Sequence, residues 1–281
     1  MALNLIYITN RPEVALIAQS NGVERVMVDL ETLGKEERQK NMNTVKSHHT
    51  VGDVKKLAEV LTTSELLVRV NPWNENSAEE IEAVIASGAR SIMLPMWKSA
   101  EEVDAFLKLV NRRVETTLLL ETKEAVECLD AVLAHPMLDN IHIGLNDLHL
   151  SYGLTFMFEL FSNGTVEALC EKCRTRGVRY GIGGIAKLEK GLVPAKNIIM
   201  EHYRLGSTAA ILSRTFCNAD EIGDLEAVKH LFAEQMKLIR DFEETVSAMS
   251  AEDLVRNQRI VADYIRDAVA IIKERRAQAQ G

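Results

Sequence analysis

The segment TTLLLETKEAVECLDAVLAH (116–135) joins a short apolar run, which ends in Glu121, to a stretch whose apolar residues have helical spacing. A run of this kind predicts a strand of a parallel sheet, because such strands are covered on both faces and are almost continuously hydrophobic. A charge inside a buried strand would be costly. Glu121 is therefore predicted to lie at the end of its strand, where the chain reaches a cavity or solvent.

The same strand-then-helix unit recurs along the chain. Eight apolar runs are predicted to be strands, and they occupy residues 3–9, 25–30, 65–70, 90–95, 116–121, 139–144, 178–183 and 208–213. Eight such units within about 245 residues predict an α/β fold of the (β/α)₈ type, a TIM barrel. An open doubly wound sheet is the alternative. It usually has fewer strands and often a glycine-rich turn after the first one, whereas this chain has NRPE (10–13) there.

The barrel is predicted to occupy residues 1–250 and to form the catalytic domain. Residues 251–281 are predicted to form an additional C-terminal helix, because apolar residues recur there at helical spacing, as at Leu254, Ile265 and Ile272. Such a helix must bury its apolar stripe. Contact with a neighbouring subunit of a homo-oligomer is the alternative that we favour, and packing against its own barrel is the other.

The composition limits the classes of function. The chain has 281 residues, 47% of them hydrophobic, which is enough for a large core, and its net charge is -8. No stretch is strongly basic, so nucleic acid is not an expected partner. No apolar run reaches the roughly 18 residues of a membrane span. The first residues lack a basic leader, and four cysteines in a large acidic chain suggest reduced thiols, so a cytoplasmic location is expected.

Charged residues are predicted at the ends of four strands: Asp29, Arg69, Glu121 and Asp147. In a barrel of alternating strands and helices, this rim is where the chemistry takes place. Glu121 and Asp147 end successive strands, so we expect them to be neighbours. Two carboxylates and water molecules suit Mg²⁺ or Mn²⁺, which prefer oxygen ligands. The alternative for either acid is that it caps the helix that follows.

Arg69 is the cation among these acids. Its planar guanidinium is always charged and suits a carboxylate or an enolate oxygen. A structural salt bridge to Asp29 or Glu31 is the alternative, and both roles are compatible. Asp29 and Glu31 are two residues apart, so they would share a face in an extended strand and would separate at a bend.

These residues, in this order, resemble the HpcH/HpaI class II pyruvate aldolase and citrate lyase β-subunit family. The segments that carry the resemblance are VDLE (28–31) with Lys35 and Arg38 after it, VRVN (68–71), MLPMWKSAEEV (93–103), ETKEAV (121–126), GLNDLHLSYG (144–153) and GIA (184–186).

The resemblance implies a (β/α)₈ barrel that exchanges its last barrel helix between subunits, with a divalent metal held by Glu121 and Asp147. It implies the making or breaking of a carbon–carbon bond beside a pyruvate-like or acyl enolate, whose oxygen Arg69 would steady. The matching segments are also expected to bind substrate, through Glu31, Pro95, Trp97, Gly144, Leu145 and Asn146.

The chain departs from the family at positions that matter for proton transfer. The aldolases have a histidine three residues after the aspartate that matches Asp29, where this chain has Thr32, and a glutamine where it has Leu119. The citrate lyase branch has Asp-Leu-Glu-Asp in place of DLET (29–32). His48 and His49 are candidate replacements for the missing base, because an imidazole exchanges protons near neutral pH. Two solvated loop histidines are the alternative.

Three functions are compatible with this pattern. The first is a metal-dependent carbon–carbon lyase or aldolase that acts on a small 2-oxo acid or acyl substrate. The second is a condensing enzyme that joins the enolate to an acyl thioester or a phosphorylated partner. The third is a non-catalytic barrel that binds a metabolite. GIGG (181–184) is compatible with a phosphate site after the seventh strand or with a tight bend, and His142 is predicted to be a core residue.

Overall fold

The computed structural model describes residues 2–34 and 49–280, and its eight strands form a closed parallel barrel in chain order. The first strand pairs with both the second and the eighth, which excludes an open sheet. The (β/α)₈ prediction is confirmed, and every strand overlaps a predicted apolar run, although β7 continues two residues beyond its run. The strands are β1 Asn4–Ile8, β2 Arg25–Asp29, β3 Glu65–Arg69, β4 Ser91–Leu94, β5 Glu115–Leu120, β6 Asn140–Ile143, β7 Arg179–Ile185 and β8 Ala209–Leu212.

Helices cover the outside of the barrel. Two of those next to the site begin at side-chain caps: Ser99 Oγ accepts from the N–H of Glu102, and Thr122 Oγ1 accepts from the N–H of Ala125. The helices are α1 Pro12–Ser20, α2 Val51–Val60, α3 Ser77–Ala86, α4 Ala100–Val110, α5 Lys123–Leu133, α6 Leu145–Ser151, α7 Glu159–Ser162, α8 Thr165–Thr175, α9 Ala195–Leu205, α10 Ala219–Ile222, α11 Leu225–Ser247 and α12 Ala251–Gln280.

The pleat of the strands decides which residues face the interior of the barrel. A central apolar cluster fills it, formed by Ile6, Met27, Leu67, Met93 and Leu119. The inward positions two residues further along β2, β3 and β5 belong to charged residues at the carboxyl ends of the strands. Alternation therefore places three of the predicted site residues at the mouth of the barrel, and they are Asp29, Arg69 and Glu121.

The C-terminal helix α12 packs against its own barrel, on α9 and α7. Val261, Ile265 and Ala268 are buried there. Packing on its own barrel, one of the two alternatives, therefore accounts for this face. Ile260 and Tyr264 remain partly exposed, and a subunit contact stays a prediction. Among the helices within residues 2–34 and 49–280, none has both the length and the apolar character needed to cross a membrane.

A buried polar network fixes α12 on α9. Asn257 Nδ2 donates to Glu201 Oε1 at 2.8 Å and to the carbonyl of Asn197 at 3.0 Å. Asn197 Nδ2 donates to Asn257 Oδ1 at 2.7 Å. Glu201 also accepts from Arg204 Nε at 2.8 Å. Because amides pair only in fitting orientations, this network sets the register of α12 along α9, which an apolar stripe alone would leave less defined.

We expect Asn257→Ala to destabilise the protein by about 1–3 kcal/mol, because it leaves buried polar groups of Asn197 and Glu201 without a partner. Urea unfolding measures the change. Gln258→Ala is the matched control, since Gln258 contacts Glu167 at 3.3 Å in an exposed position. It should shift the free energy of unfolding by no more than about 0.5 kcal/mol. Equal unfolding midpoints for both variants would show that the network does not hold the helix.

Candidate active site

A cavity of about 530 Å³ opens at the carboxyl ends of the strands. Six residues that the sequence pointed to line it together: Arg69, Glu121, Gly144, Leu145, Asn146 and Asp147. The strands and α9 supply part of the remaining wall, and the loops before α7, after β7 and after β8 supply most of the rest. The cavity lies where active sites of such barrels are found.

Arg69 is held rigidly at one side of this cavity. Its Nε donates to Asp29 Oδ1 and its Nη2 to Asp29 Oδ2, both at 2.9 Å. Nη2 also lies 3.3 Å from Glu31 Oε2. β2 and β3 pair so that Asp29 stands directly beside Arg69, which explains the two-pronged contact. The salt bridge considered as an alternative is thus present, and both acids near the end of β2 face the same guanidinium.

Arg69 stays protonated and positively charged. Burial by itself lowers the pKa of Arg69, but the carboxylates of Asp29 and Glu31 outweigh burial and raise it above the usual value of arginine. Nη1 makes no hydrogen bond among the residues the structure describes. Since Arg69 lines the cavity, this nitrogen is the donor that remains for a bound molecule.

An amide clamp fixes the loop that carries Glu31. Asn71 Oδ1 accepts from the N–H groups of Thr32 and Leu33 at 2.9 and 3.1 Å. Asn71 Nδ2 in turn donates to Glu80 Oε1 at 2.7 Å. Sequence reasoning missed this role of Asn71 and Glu80. The signals were that Asn71 belongs to VRVN (68–71) and that it follows Arg69 by two residues, which puts it past the strand end.

Glu121 is buried at the centre of the site. Its Oε1 accepts from the N–H of Met96 at 3.1 Å. A Cβ at Gly144 would lie 2.9 Å from Glu121 Oε2, so the glycine provides the space that this carboxylate needs. Thr122, not Glu121, caps α5. Capping is therefore excluded for Glu121, and its buried position needs another explanation.

Electrostatics around Glu121 favour a cation. Burial raises the pKa of Glu121 well above 4.5, and the nearby carboxylate of Asp147 raises it further, while Arg69 lowers it. Asp147 does not lie at a strand end as predicted: β6 stops at Ile143, and Asp147 is in the first turn of α6, where the helix dipole favours an acid. Carboxylate oxygens on two adjoining elements fit Mg²⁺ or Mn²⁺. In the described part of the chain, no group of three or more His, Cys, Asp or Glu side chains is placed to hold a metal ion.

A family model described as HpcH/HpaI aldolase/citrate lyase matches residues 5–179. The chain belongs to this family. The match spans seven of the eight strands, from β1 into the start of β7, and includes Arg69, Glu121 and Asp147. A comparison with curated proteins finds no match.

Solved structures share the fold. An HpcH/HpaI aldolase from Desulfitobacterium hafniense DCB-2 has a TM-score of 0.59 and 15% identity, over 81% of this chain and 93% of that one. The citrate synthase SbnG has a TM-score of 0.60 and 17% identity, over 82% and 94%. CitE from Mycobacterium tuberculosis, in complex with magnesium and pyruvate, has a TM-score of 0.60 and 14% identity, over 93% and 98%.

Three residues expected to bind substrate do not line the cavity: Glu31, which contacts Arg69, and Pro95 and Trp97. Trp97 is fully buried in the hydrophobic core, and neither it nor the buried Pro95 lines the cavity. Met96, between them, has a left-handed backbone with φ of 53°. This bend directs the N–H of Met96 to Glu121 and turns Trp97 towards the core, where its carbonyl accepts from Thr122 Oγ1 at 2.8 Å. Pro95 and Trp97 therefore have a structural role in the fold, and their contact with a substrate stays a prediction.

The histidines differ from the sequence expectation. His48 lies outside the described residues. His49 Nδ1 accepts the N–H of Asp29 at 3.0 Å, so neutral His49 carries its proton on Nε2 and is a donor there. His142 is buried as predicted, and it also lines the floor of the cavity. Burial lowers the pKa of His142 to about 4, so the imidazole is neutral at physiological pH.

Packing explains the glycines of GIGG. A Cβ at Gly181 would lie 2.5 Å from His142 Nδ1, and one at Gly183 would lie 2.6 Å from Leu145 Cδ1. A Cβ at Gly184 would meet the carbonyl of Ile211 at 2.9 Å. The register of β7 against β8 also shifts between Gly181 and Gly184. These glycines allow the close packing and bend of β7, the alternative to a phosphate site.

We expect Glu121→Gln and Asp147→Asn each to lose most affinity for Mg²⁺ or Mn²⁺, because a neutral amide is a weaker ligand for a hard dication than a carboxylate. Calorimetric titration with Mn²⁺ measures the affinity. Glu127→Gln removes an exposed carboxylate of α5 as a matched control and should leave the titration unchanged. Curves for the two site variants that overlay the wild type, in folded protein, would overturn the assignment.

Proposed function

We propose that the protein is a divalent-metal-dependent carbon–carbon lyase of the aldolase type, acting through the enolate of a pyruvate-like 2-oxo acid or an acyl substrate. One observation carries the proposal: a fixed guanidinium, Arg69, lines the same cavity as the carboxylates of Glu121 and Asp147. A cation and an arginine side by side match the two oxygens of a 2-oxo acid and the charge that develops on one of them.

Glu121 and Asp147 would hold the Mg²⁺ or Mn²⁺ ion. When bound, the ion supplies Lewis-acid polarisation of the substrate carbonyl. Support comes from the relative CitE of Mycobacterium tuberculosis, which has been solved with magnesium and pyruvate. The carboxylates of Glu121 and Asp147 also repel each other, because Asp147 raises the pKa of Glu121, and a cation between them would relieve this repulsion.

Arg69 would act on the developing charge. As the carbon–carbon bond breaks, negative charge builds on the former keto oxygen, and the unengaged Nη1 of Arg69 is the donor suited to meet it. Asp29 holds the guanidinium in place beforehand, so little reorganisation is needed during the reaction. Such preorganised donors act mainly in the transition state.

Proton transfer needs groups other than Arg69 and the carboxylates. We keep His48 and His49 as the candidate groups. Nδ1 of His49 accepts the N–H of Asp29, so the neutral ring carries an N–H at Nε2, which suits a hydrogen bond to an enolate oxygen better than transfer of the proton. A base for the substrate hydroxyl would be a different group, and His48 is the candidate from the sequence.

A condensing enzyme is the second candidate, and the size of the cavity favours it. A volume of about 530 Å³ exceeds what a three-carbon acid fills. The relative SbnG is a citrate synthase. The lyase, the condensing enzyme and a non-catalytic binding protein would all recognise a 2-oxo acid. Metal-dependent decarboxylation of oxaloacetate separates catalysis from binding, because it needs only the stabilised enolate.

We expect Arg69→Lys to lower turnover in this decarboxylation roughly 10²-fold, the loss typical of one oxyanion donor, because lysine keeps the charge but not the fork that Asp29 orients. Steady-state assays with Mg²⁺ measure it, with circular dichroism to confirm folding. Arg113→Lys is the matched control, since Arg113 pairs with Glu82 on the exposed surface. Normal turnover of Arg69→Lys, or its failure to fold, would contradict the catalytic role.

A further inference from the structure

The cavity has two chemically different halves. The strand-end half carries the charged residues Arg69, Glu121 and Asp147. The loop half is lined by apolar side chains from the loop between α6 and α7 and from the loop between β7 and α9; they are Phe156, Met157, Phe158, Leu192 and Val193. A pyruvate-like acid needs only the first half, so the second half requires its own explanation.

The apolar side chains of the loop half, which form its apolar wall, pack against one another and remain partly exposed to the cavity. Phe156 and Phe158 meet edge to face, with ring centroids 5.2 Å apart and planes at 87°. This arrangement is favourable for aromatic rings and holds them in place. Phe156 and Met157 are half-buried, and Leu192 is 38% exposed. Apolar surface that faces an open cavity gains free energy when a ligand covers it.

The loop half also carries positive charge. Lys190 and Arg214 line the same cavity, on the loops that follow β7 and β8. The ammonium of Lys190 forms no ion pair with any residue the structure describes. Next to Arg214, the hydroxyls of Ser213 and Thr215 lie 2.7 Å apart and line the cavity too. This side of the cavity therefore suits an anionic group, and the charge comes from side chains rather than from the glycines of β7.

We propose that the loop half binds the second substrate, a carbonyl compound with an apolar body, aromatic or branched aliphatic, and an anionic group of the carboxylate or phosphate type at its far end. The inference rests on the proposed function. In the direction of cleavage, the bond between C3 and C4 of a 4-hydroxy-2-oxo acid breaks and its electron pair forms the pyruvate enolate. The hydroxyl proton passes to a base, and C4 becomes the carbonyl carbon of the released aldehyde. Condensation is the reverse, with no change of redox state.

The test measures addition of pyruvate to four aldehydes by the full-length protein with Mg²⁺. The aldehydes are glycolaldehyde, benzaldehyde, 4-formylbenzoate and 4-formylphenyl phosphate. We expect kcat/KM for benzaldehyde to exceed that for glycolaldehyde roughly tenfold or more, because an apolar group in a fitting pocket discriminates by about this factor. One of the two anionic aldehydes should exceed benzaldehyde, and which one does so distinguishes a carboxylate site from a phosphate site.

Variants locate the effect. Phe156→Ala and Leu192→Ala should lower kcat/KM for benzaldehyde roughly tenfold relative to oxaloacetate decarboxylation, which uses only the strand-end half. Lys190→Gln should remove about two- to fivefold of the preference for the anionic aldehyde over benzaldehyde, the range of an exposed charge pair. Leu225→Ala, an exposed apolar residue outside the cavity, is the control and should change none of these ratios.

The outcomes separate the two proposals. Absence of metal-dependent oxaloacetate decarboxylation in the wild type would overturn the proposed function and this inference with it. Decarboxylation together with a preference for glycolaldehyde, or with no addition to any aldehyde, would overturn this inference alone. Equal effects of Phe156→Ala and Leu225→Ala would also overturn it, because the apolar wall would then have no role in the choice of substrate.

Discussion

The contact between Asp29 and Arg69 is the constraint on which the rest of the site depends. The register of β2 against β3 sets the two residues side by side at the mouth of the barrel. A guanidinium in this largely enclosed position needs a partner, and Asp29 supplies both oxygens at 2.9 Å. Arg69 then lowers the pKa of Glu121, while Asp147 raises it. The repulsion between the carboxylates of Glu121 and Asp147 is the feature that supports the proposed divalent cation.

The sequence predicted the part of the site that lies on strands. A buried strand of a parallel sheet tolerates charge only at its end, so Asp29, Arg69 and Glu121 were identifiable from hydrophobic pattern alone. The hydrophobic pattern gives no comparable rule for where the side chains of loop residues lie. The left-handed backbone at Met96 turns Trp97 into the core, and nothing in MLPMW (93–97) indicates that bend. The acceptor role of His49 Nδ1 likewise depends on a contact with Asp29, 20 residues away in the sequence, which periodicity does not predict.

The C-terminal helix shows the same limit at the level of packing. Its apolar stripe predicts that one face is buried but not which surface covers it. Asn257 helps to determine that α9 is the covering surface, because its amide forms hydrogen bonds with Asn197 and Glu201 of that helix. A single asparagine in an apolar stripe looks like a defect in the pattern. In the fold it is the residue that defines how helix and barrel meet.

The two halves of the cavity are carried by different kinds of structure, and this division follows from their tasks. Enolate chemistry needs groups held within a fraction of an ångström, and strand ends within a hydrogen-bonded barrel provide this rigidity. Choice of the second substrate needs a surface that can change without loss of the barrel, and loops tolerate such change. Arg69 and Glu121 lie on or directly after strands, whereas Phe156 and Leu192 lie on loops. The apolar wall is therefore the part of this protein in which its specificity, as distinct from its chemistry, would be encoded.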